Sequence, residues 1–425
     1  MSQIPLLILS DAPTSVSGLG RICRDLAVRI ATQLPEFFRV ATIGYGGPYS
    51  SKLPFHQYDV DMDDWNVFNL PDVWEDFAGI DHGAIFTIWD SSRMLWFARP
   101  ENCKNDKLRK FLTTARFQSW GYFPMDATGP NDRLTSVLGH TIEGYDRVLA
   151  YSKWAEDILR RTLTDRPILD NLTNLPHGID TDIFQPRHRV MARRGFGEKM
   201  GIKTEKGRWL SIPDDAYVIG IVGTNQARKD YGLGLQVVQR IAREKKVFVW
   251  IHTDVPGRTW GIPALLNDLG ILTSSIITSL PFSDEVMSWC YSACDVTLGI
   301  GLGEGFGYPI FESLACGTPC IHGNYGGAAE HLPEEFKVEP LAYRMEGPYS
   351  CIRPVFDPKD WVDKILALPK KNCQSLLPEY LSWNMNWRKW KEWFLKGHAE
   401  CQPPVMDKKT EGILIEGFKK FREMK

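Results

Sequence analysis

Glu304 and Glu312 are the residues whose types and spacing most directly suggest chemistry, with Gly-Phe-Gly-Tyr-Pro-Ile-Phe between them. The apolar run before them, residues 296–300, reads as a short buried strand. Glycines crowd residues 299–307, and Pro309 stands where the first turn of a helix tolerates a missing N–H. Ile310, Phe311, Leu314 and Ala315 make the apolar side of that helix, Gly317 stops it, and residues 318–321 start another strand. A strand, glycine turn, helix and strand leave backbone N–H groups open at the helix start, which is an anion site. At about 3.6 residues per turn, Glu312 falls about one turn into the helix. A carboxylate there can accept from a pair of sugar hydroxyls while the amides of Gly305, Phe306 and Gly307 meet a phosphate or sugar oxygen. The bland alternative is a structural corner with a buried glutamate.

A second constellation lies at residues 223–230, Gly-Thr-Asn-Gln-Ala-Arg-Lys-Asp. A strand over 216–222 runs into it, and a helix through Leu233, Leu235 and Val238 follows. Adjacent cations at a helix start suit a diphosphate: Arg228 offers a planar fork and Lys229 a compact charge. They can equally be two solvated surface cations. Asp254 lies just past the strand 247–252, either as a base- or ribose-side group or as a turn residue. Residues 281–284 lead a helix through Met287, Tyr291 and Ala293.

At these residues the chain resembles the retaining GT-B glycosyltransferases, specifically family 4. Glu304 and Glu312 match the two acids of that family's E-x7-E motif. Gly317, Thr318 and Pro319 match the turn that follows, and Glu330 the acid after its Gly-Gly. The resemblance implies that Glu312 holds the donor ribose, and that Glu304 with Gly305, Phe306 and Gly307 orients the donor sugar and diphosphate. Lys229 matches a family lysine. Asp230 replaces the glycine that usually follows it, and Thr224 stands where an arginine is frequent, so Arg228 takes that part. Gly223, Asn225 and Asp254 complete the implied donor side. Residues 174–186 resemble the family's linker, with His177 replacing the more usual Asn in a hinge-side turn. Residues 151–161 resemble its serine-led helix, with Ser152 as N-cap.

These residues need two sheets to position them. A chain of 425 residues suggests two domains of ordinary size. Hydrophobic content of 43% and charged content of 24% are those of an ordinary globular protein. A net charge of −2 gives no global pull toward nucleic acid or anionic lipid. The N-terminus lacks a basic region before its apolar run, so residues 4–9 read as a first buried strand and not a signal peptide. No stretch approaches the roughly 18 apolar residues of a membrane span. Nine cysteines without CxxC pairs or a nearby histidine set argue against zinc and for thiols in a reducing cytosol.

Residues 10–21 form a small-residue loop before a helix with Leu19, Ile22, Leu26, Ile30 and Leu34 at helical spacing. The dinucleotide fingerprint is absent, since only Gly18 and Gly20 appear and no acid follows at the right place. The resemblance instead sets Gly18, Gly20 and Arg21 toward the donor phosphates or acceptor; a plain turn is the alternative. Apolar runs at 38–43, 84–89, 115–123 and 147–151 predict a parallel sheet covered on both faces. Ligands bind beyond the carboxyl ends of such strands. That rule selects Asp90, with Ser91, Ser92 and Arg93, and Asp126. Each can be a capping or turn residue, or a carboxylate facing an acceptor. Asp126 stands roughly where many family members carry a His. Residues 187–215, basic and polar, read as a surface excursion. Trp361, Trp383, Trp387, Trp390 and Trp393 read as helix packing; the last four suit a final helix crossing back to the first domain or a basic amphipathic membrane contact.

The expectation is an α/β chain of GT-B type, two doubly wound Rossmann-like domains facing a cleft. Residues 1–186 form the acceptor side, 187–382 the nucleotide-sugar side, and 383–425 the C-terminal helices. The expected activity is transfer from a UDP- or GDP-sugar to an acceptor hydroxyl with retention, Asp126, Glu304, Lys229 and Arg228 being the catalytic set. No metal or cofactor is expected: Asp59, Asp61, Asp63 and Asp64 lie in a loop-like stretch of the first half, and Arg228 and Lys229 supply the positive charge. The acceptor is a glycan, a lipid-linked saccharide, a protein or a modified base in DNA. The location is cytoplasmic, free or peripheral to a membrane. The rivals are a catalytically silent sugar-nucleotide or glycan-binding protein and a dinucleotide oxidoreductase.

Overall fold

The computed structural model describes residues 3–63, 66–79, 82–134, 136–164, 166–279, 281–347, 350–369 and 374–401. Strands β1 (Ile4–Asp11), β2 (Phe38–Tyr45), β3 (His56–Asp59), β4 (Gly83–Ile88), β5 (Phe117–Phe123), β6 (Arg147–Ala150) and β7 (Leu172–Asn174) form one sheet in the order β3-β2-β1-β4-β5-β6-β7. Strands β8 (Tyr217–Val222), β9 (Val247–His252), β10 (Ser275–Thr278), β11 (Val296–Gly299), β12 (Cys320–Gly323) and β13 (Lys337–Val338) form the second, in the order β10-β9-β8-β11-β12-β13. All pairings within both sheets are parallel. Successive side chains of a strand point to opposite faces. Accordingly Leu6 and Ile8 of β1 enter one core, and Leu7 and Leu9 another. Both domains are therefore doubly wound and Rossmann-like, as expected.

In each sheet the winding reverses beside the first strand, between β1 and β4 and between β8 and β11. Loops leaving the carboxyl ends there open into a crevice, the usual ligand position of this topology. The helices α1 (Gly18–Gln33), α2 (Lys153–Thr162), α3 (Tyr231–Ala242), α4 (Asp284–Ala293) and α5 (Tyr308–Ala315) follow β1, β6, β8, β10 and β11. Helix α1 buries Ile22, Leu26 and Ile30, and the Ser17 hydroxyl caps it by accepting from the Gly20 amide at 3.0 Å. A hairpin of β14 (Ala342–Glu346) and β15 (Cys351–Val355) follows the second sheet.

The last described helix, α6 (Trp383–Cys401), crosses back to the first domain. Its Trp390 indole donates to the Pro176 carbonyl at 3.0 Å, and Trp393 lies edge-on to Trp120 with ring centroids 5.3 Å apart. Arg147 stacks on Trp393 at 4.3 Å and donates to its carbonyl. Trp383, Trp387, Trp390 and Trp393 are buried, so packing accounts for their spacing without a membrane. Trp361 is buried against Phe356. No helix among the described residues is long and apolar enough to cross a membrane. Residues 402–425 of the expected C-terminal unit, and Asp64, lie outside the described residues.

Residues 187–215 correct the sequence reading. Two short helices, Arg189–Arg194 and Phe196–Met200, tuck Ala192, Phe196 and Met200 into the core beneath the second sheet, where Phe196 packs edge-on to Phe248 and Trp250 of β9. Arg193 is 2% exposed and donates to Asp295 at 2.6 Å, to the Ala293 carbonyl at 3.1 Å and to the Ala216 carbonyl at 3.0 Å. The segment reads as surface because it is basic. Its buried cation is satisfied by an acid from far along the chain, which no local pattern displays.

Candidate active site

The turn joining β11 to α5 is shaped by glycine. Gly303 and Gly307 have φ of +137° and +86°, where other residues are strained. A side chain at Gly303 would also collide with the Asp126 carbonyl of the first domain. Pro309 occupies the first turn of α5 as expected. The loop after β8 is zipped to this turn: Asp230 N donates to the Ile300 carbonyl at 2.9 Å, and Leu302 N to the Arg228 carbonyl at 2.8 Å.

That zip brings Arg228 and Lys229 to Glu304. The Glu304 carboxylate is buried; Lys229 bonds one oxygen and Arg228 Nη1 the other at 3.3 Å. Burial would raise the carboxyl, but Lys229 and then Arg228 overcome it and hold it at about 2. Burial pulls Lys229 below the usual lysine range, while Glu304 opposes this. Arg228 also reaches across the cleft, with Nε 3.2 Å from Asp126.

Asp126 follows β5 and is gripped from two sides. Arg353 of β15 lies 3.3 Å from the carboxylate and donates to the Asp126 carbonyl at 2.7 Å. Arg353 is a buried group the sequence reading missed, and no motif surrounds it. Asp90, just past β4, has a carboxyl 49% exposed and 3.9 Å from Arg93. Enclosure by the walls, then Asp126 and Asp11, push this carboxyl up against the pull of Arg93 and Arg228. Asp11, also missed, ends β1 and accepts from Ser17 at 2.5 Å and Trp89 at 2.9 Å. A cavity of about 200 Å³ opens between these elements, lined by Asp90, Ser91, Ser92, Asp126, Thr128 and Arg353 among others.

Glu312 is buried within α5. One oxygen accepts from the Tyr291 hydroxyl of α4 at 2.8 Å; the other meets the Arg21 guanidinium of the first domain. Burial pushes the Glu312 carboxyl up, and Arg21 opposes it. Arg21 is itself stacked on Tyr308 at 4.5 Å and Phe184 at 5.0 Å, and lies 3.5 Å from Asp284. A side chain on Gly20 would collide with the Ala12 carbonyl, so this glycine serves the close turn that delivers Arg21, while Gly18 has room for one beside Tyr308.

The remaining expected donor residues divide. Gly223 lies against the stem of Lys229. Every polar side-chain atom of Asn225 is used by the neighbouring loop, on the carbonyls of Val255, Pro256 and Trp260 and the amide of Trp260. Asp254 accepts from the Asn225 amide at 2.7 Å and from Arg258 at 3.3 Å. Partial burial raises the Asp254 carboxyl, and the amides of Asn225 and Val255 bring it below the usual range. Asn225 and Asp254 thus join the loops after β8 and β9. His177 is buried with its ring centroid 3.8 Å from that of Phe306. The Tyr122 hydroxyl donates to Leu175, so the His177 Nδ1–H donates to it at 2.9 Å. Burial keeps His177 neutral, well below its ordinary value. Glu330 spans the domains too, accepting from the Lys153 and Trp154 amides at the start of α2.

The family model for Glycosyl transferases group 1 matches residues 216–370, the domain that carries Lys229, Glu304 and Glu312. The D-inositol 3-phosphate glycosyltransferase of Stackebrandtia nassauensis is 28% identical over 37% of this chain and 34% of its own length. That of Saccharomonospora viridis is 23% identical over 65% of this chain and 59% of its own. The chain thus spans 34–59% of the length of these relatives. Sucrose-phosphate synthase from Thermosynechococcus elongatus superposes with a TM-score of 0.66 at 16% identity, covering 94% of this chain and 100% of the other. Anabaena HepE, solved with UDP and glucose, gives 0.61 at 12% identity over 85% and 89%. The likeness establishes the two-domain GT-B fold for this chain.

Proposed function

We propose that this protein is a family 4 glycosyltransferase, moving a sugar from a UDP- or GDP-sugar to an acceptor hydroxyl with retention of configuration and without a metal. The observation that carries the reading is the buried Glu304, held by Arg228 and Lys229 on the glycine turn at the carboxyl ends of the second sheet. The bond from the sugar's anomeric carbon to the diphosphate breaks, and the acceptor oxygen bonds that carbon on the same face. The acceptor proton leaves to the departing diphosphate or to Asp126. Lys229 has three N–H donors and Arg228 five, so pairing with Glu304 leaves donors for the diphosphate. Placed in advance, they stabilise the charge that develops as the diphosphate leaves. Glu312 has about four lone-pair sites, of which Arg21 and Tyr291 use two; the rest suit ribose hydroxyls. Gly20 allows the close turn from which Arg21 reaches this group.

Asn225 and Asp254 support the donor side by joining its loops, and Asp126 or Asp90 meets the acceptor. The acceptor classes are a glycan, a lipid-linked saccharide, a protein or a modified DNA base. The test is a panel of UDP- and GDP-sugars screened for hydrolysis, then for transfer with the best of them, with the anomeric coupling of the product read by NMR. Binding without turnover of any nucleotide sugar would identify a silent binding protein instead. An inverted anomer would overturn retention.

A further inference from the structure

The acceptor-side cavity has a chemistry of its own. Its volume, about 200 Å³, lies below the roughly 300–1,000 Å³ usual for ligand pockets, which favours a small acceptor group. Its lining is polar at the Asp90 carboxylate, the Ser91 and Ser92 residues and Thr128, and apolar at Met125 and Leu138. Such an arrangement suits a ring that offers hydroxyls on its edge and C–H groups on its face.

The cations around the cavity are each paired with a carboxylate. Its lining cation, Arg353, is engaged by the Asp126 carboxylate and by the carbonyls of Asp126 and Leu302. Behind it, Arg228 is shared between Asp126 and Glu304, and Arg93 lies within 4.0 Å of both Asp11 and Asp90. An acceptor phosphate here would meet cations whose charge is already balanced by carboxylates, and would stand beside Asp90, whose carboxyl is the more exposed of the two acids lining the cavity, 49% against 36% for Asp126. We infer that this cavity selects an uncharged polyhydroxylated ring over its phosphorylated counterpart, with Asp90 as the specificity-determining residue. The inference rests on the glycosyltransferase reading and names the acceptor class for that site.

The test offers the full chain a nucleotide sugar that it hydrolyses, with matched acceptors: glucose and glucose 6-phosphate, mannose and mannose 6-phosphate, myo-inositol and D-inositol 3-phosphate. The expected result is an accepted uncharged member preferred over its phosphate by roughly tenfold or more in kcat/KM, as like-charge juxtaposition is costly. Asp90→Asn should shrink that preference by roughly fivefold, chiefly through KM, because the repelling charge is gone. Asp90→Glu should keep the preference, which separates a charge effect from a loss of shape. Preference for the phosphorylated member overturns the inference. So does donor hydrolysis with no member of any pair accepted, or an Asp90→Asn ratio equal to that of the unaltered chain. Absence of hydrolysis of every UDP- and GDP-sugar overturns the glycosyltransferase reading, and the inference falls with it.

Discussion

On the second domain's side of the cleft, Glu304, Arg228 and Lys229 find one another within the domain, across two loops zipped by backbone hydrogen bonds. On the first domain's side, Arg21 finds its carboxylates in Glu312 and Asp284, and Asp126 its cations in Arg228 and Arg353, all from the opposite domain. The proposed diphosphate site around Glu304 is thus preorganised by its own domain, while Glu312 and Asp126 are completed by apposition of the domains. Loss of a charge at that diphosphate site should therefore act on turnover itself. Loss of a cross-cleft charge should act on one substrate's use and leave the rest.

The largest effect should come from Lys229→Ala. Removing a preorganised charge from a developing anion costs roughly 10²–10³ in rate, and steady-state donor hydrolysis would read it. Turnover near that of the unaltered chain would break the contrast at its strong end. Asp126→Asn keeps the shape and removes the charge. Transfer to acceptor should fall by about 10², the low end for proton-transfer groups, with nucleotide-sugar binding nearly intact by calorimetry. Near-normal transfer would return Asp126 to a purely structural part and leave Asp90 as the acceptor-facing acid. Glu312→Ala should weaken nucleotide binding at least roughly tenfold, since each charge-assisted hydrogen bond is worth about 1.5–3 kcal/mol. Calorimetry showing unchanged affinity, with the fold retained by circular dichroism, would remove ribose from its role.

Smaller effects sharpen the picture at the hinge. His177 is held neutral inside, well below its ordinary value, so the unfolded chain takes the proton first as pH falls. Its contribution to stability is present above about pH 6.5 and is lost below, by up to about 1.4 kcal/mol per pH unit. Thermal midpoints should fall from pH 7 to pH 5, and less steeply in His177→Phe. An identical slope would show that the other buried histidines carry the whole effect. The smallest expected change is none: hydrolysis and transfer should persist in EDTA, and activity lost to chelation and restored by magnesium or manganese would overturn the metal-free proposal.

The sequence by itself determined the central strands and the β11–α5 turn. There the constraints are local: continuous apolar runs make doubly covered strands, glycine permits positive φ, and proline fits a first helical turn. The spacing of Glu304 and Glu312 follows from that turn, so the donor side was legible. The edge strands β3, β7, β10 and β13 were not. They are short and partly exposed, and carry no continuous apolar run. Asp90 and Asp126 could be chosen as strand-end acids, but their different surroundings could not. Arg353 beside Asp126, Arg21 beside Glu312 and Arg193 beside Asp295 were decided only by tertiary structure. An ion pair depends on which distant residues come within a few ångströms, and the strength of attraction on how much water is excluded there. Neither quantity is written in the neighbourhood of the residue along the chain.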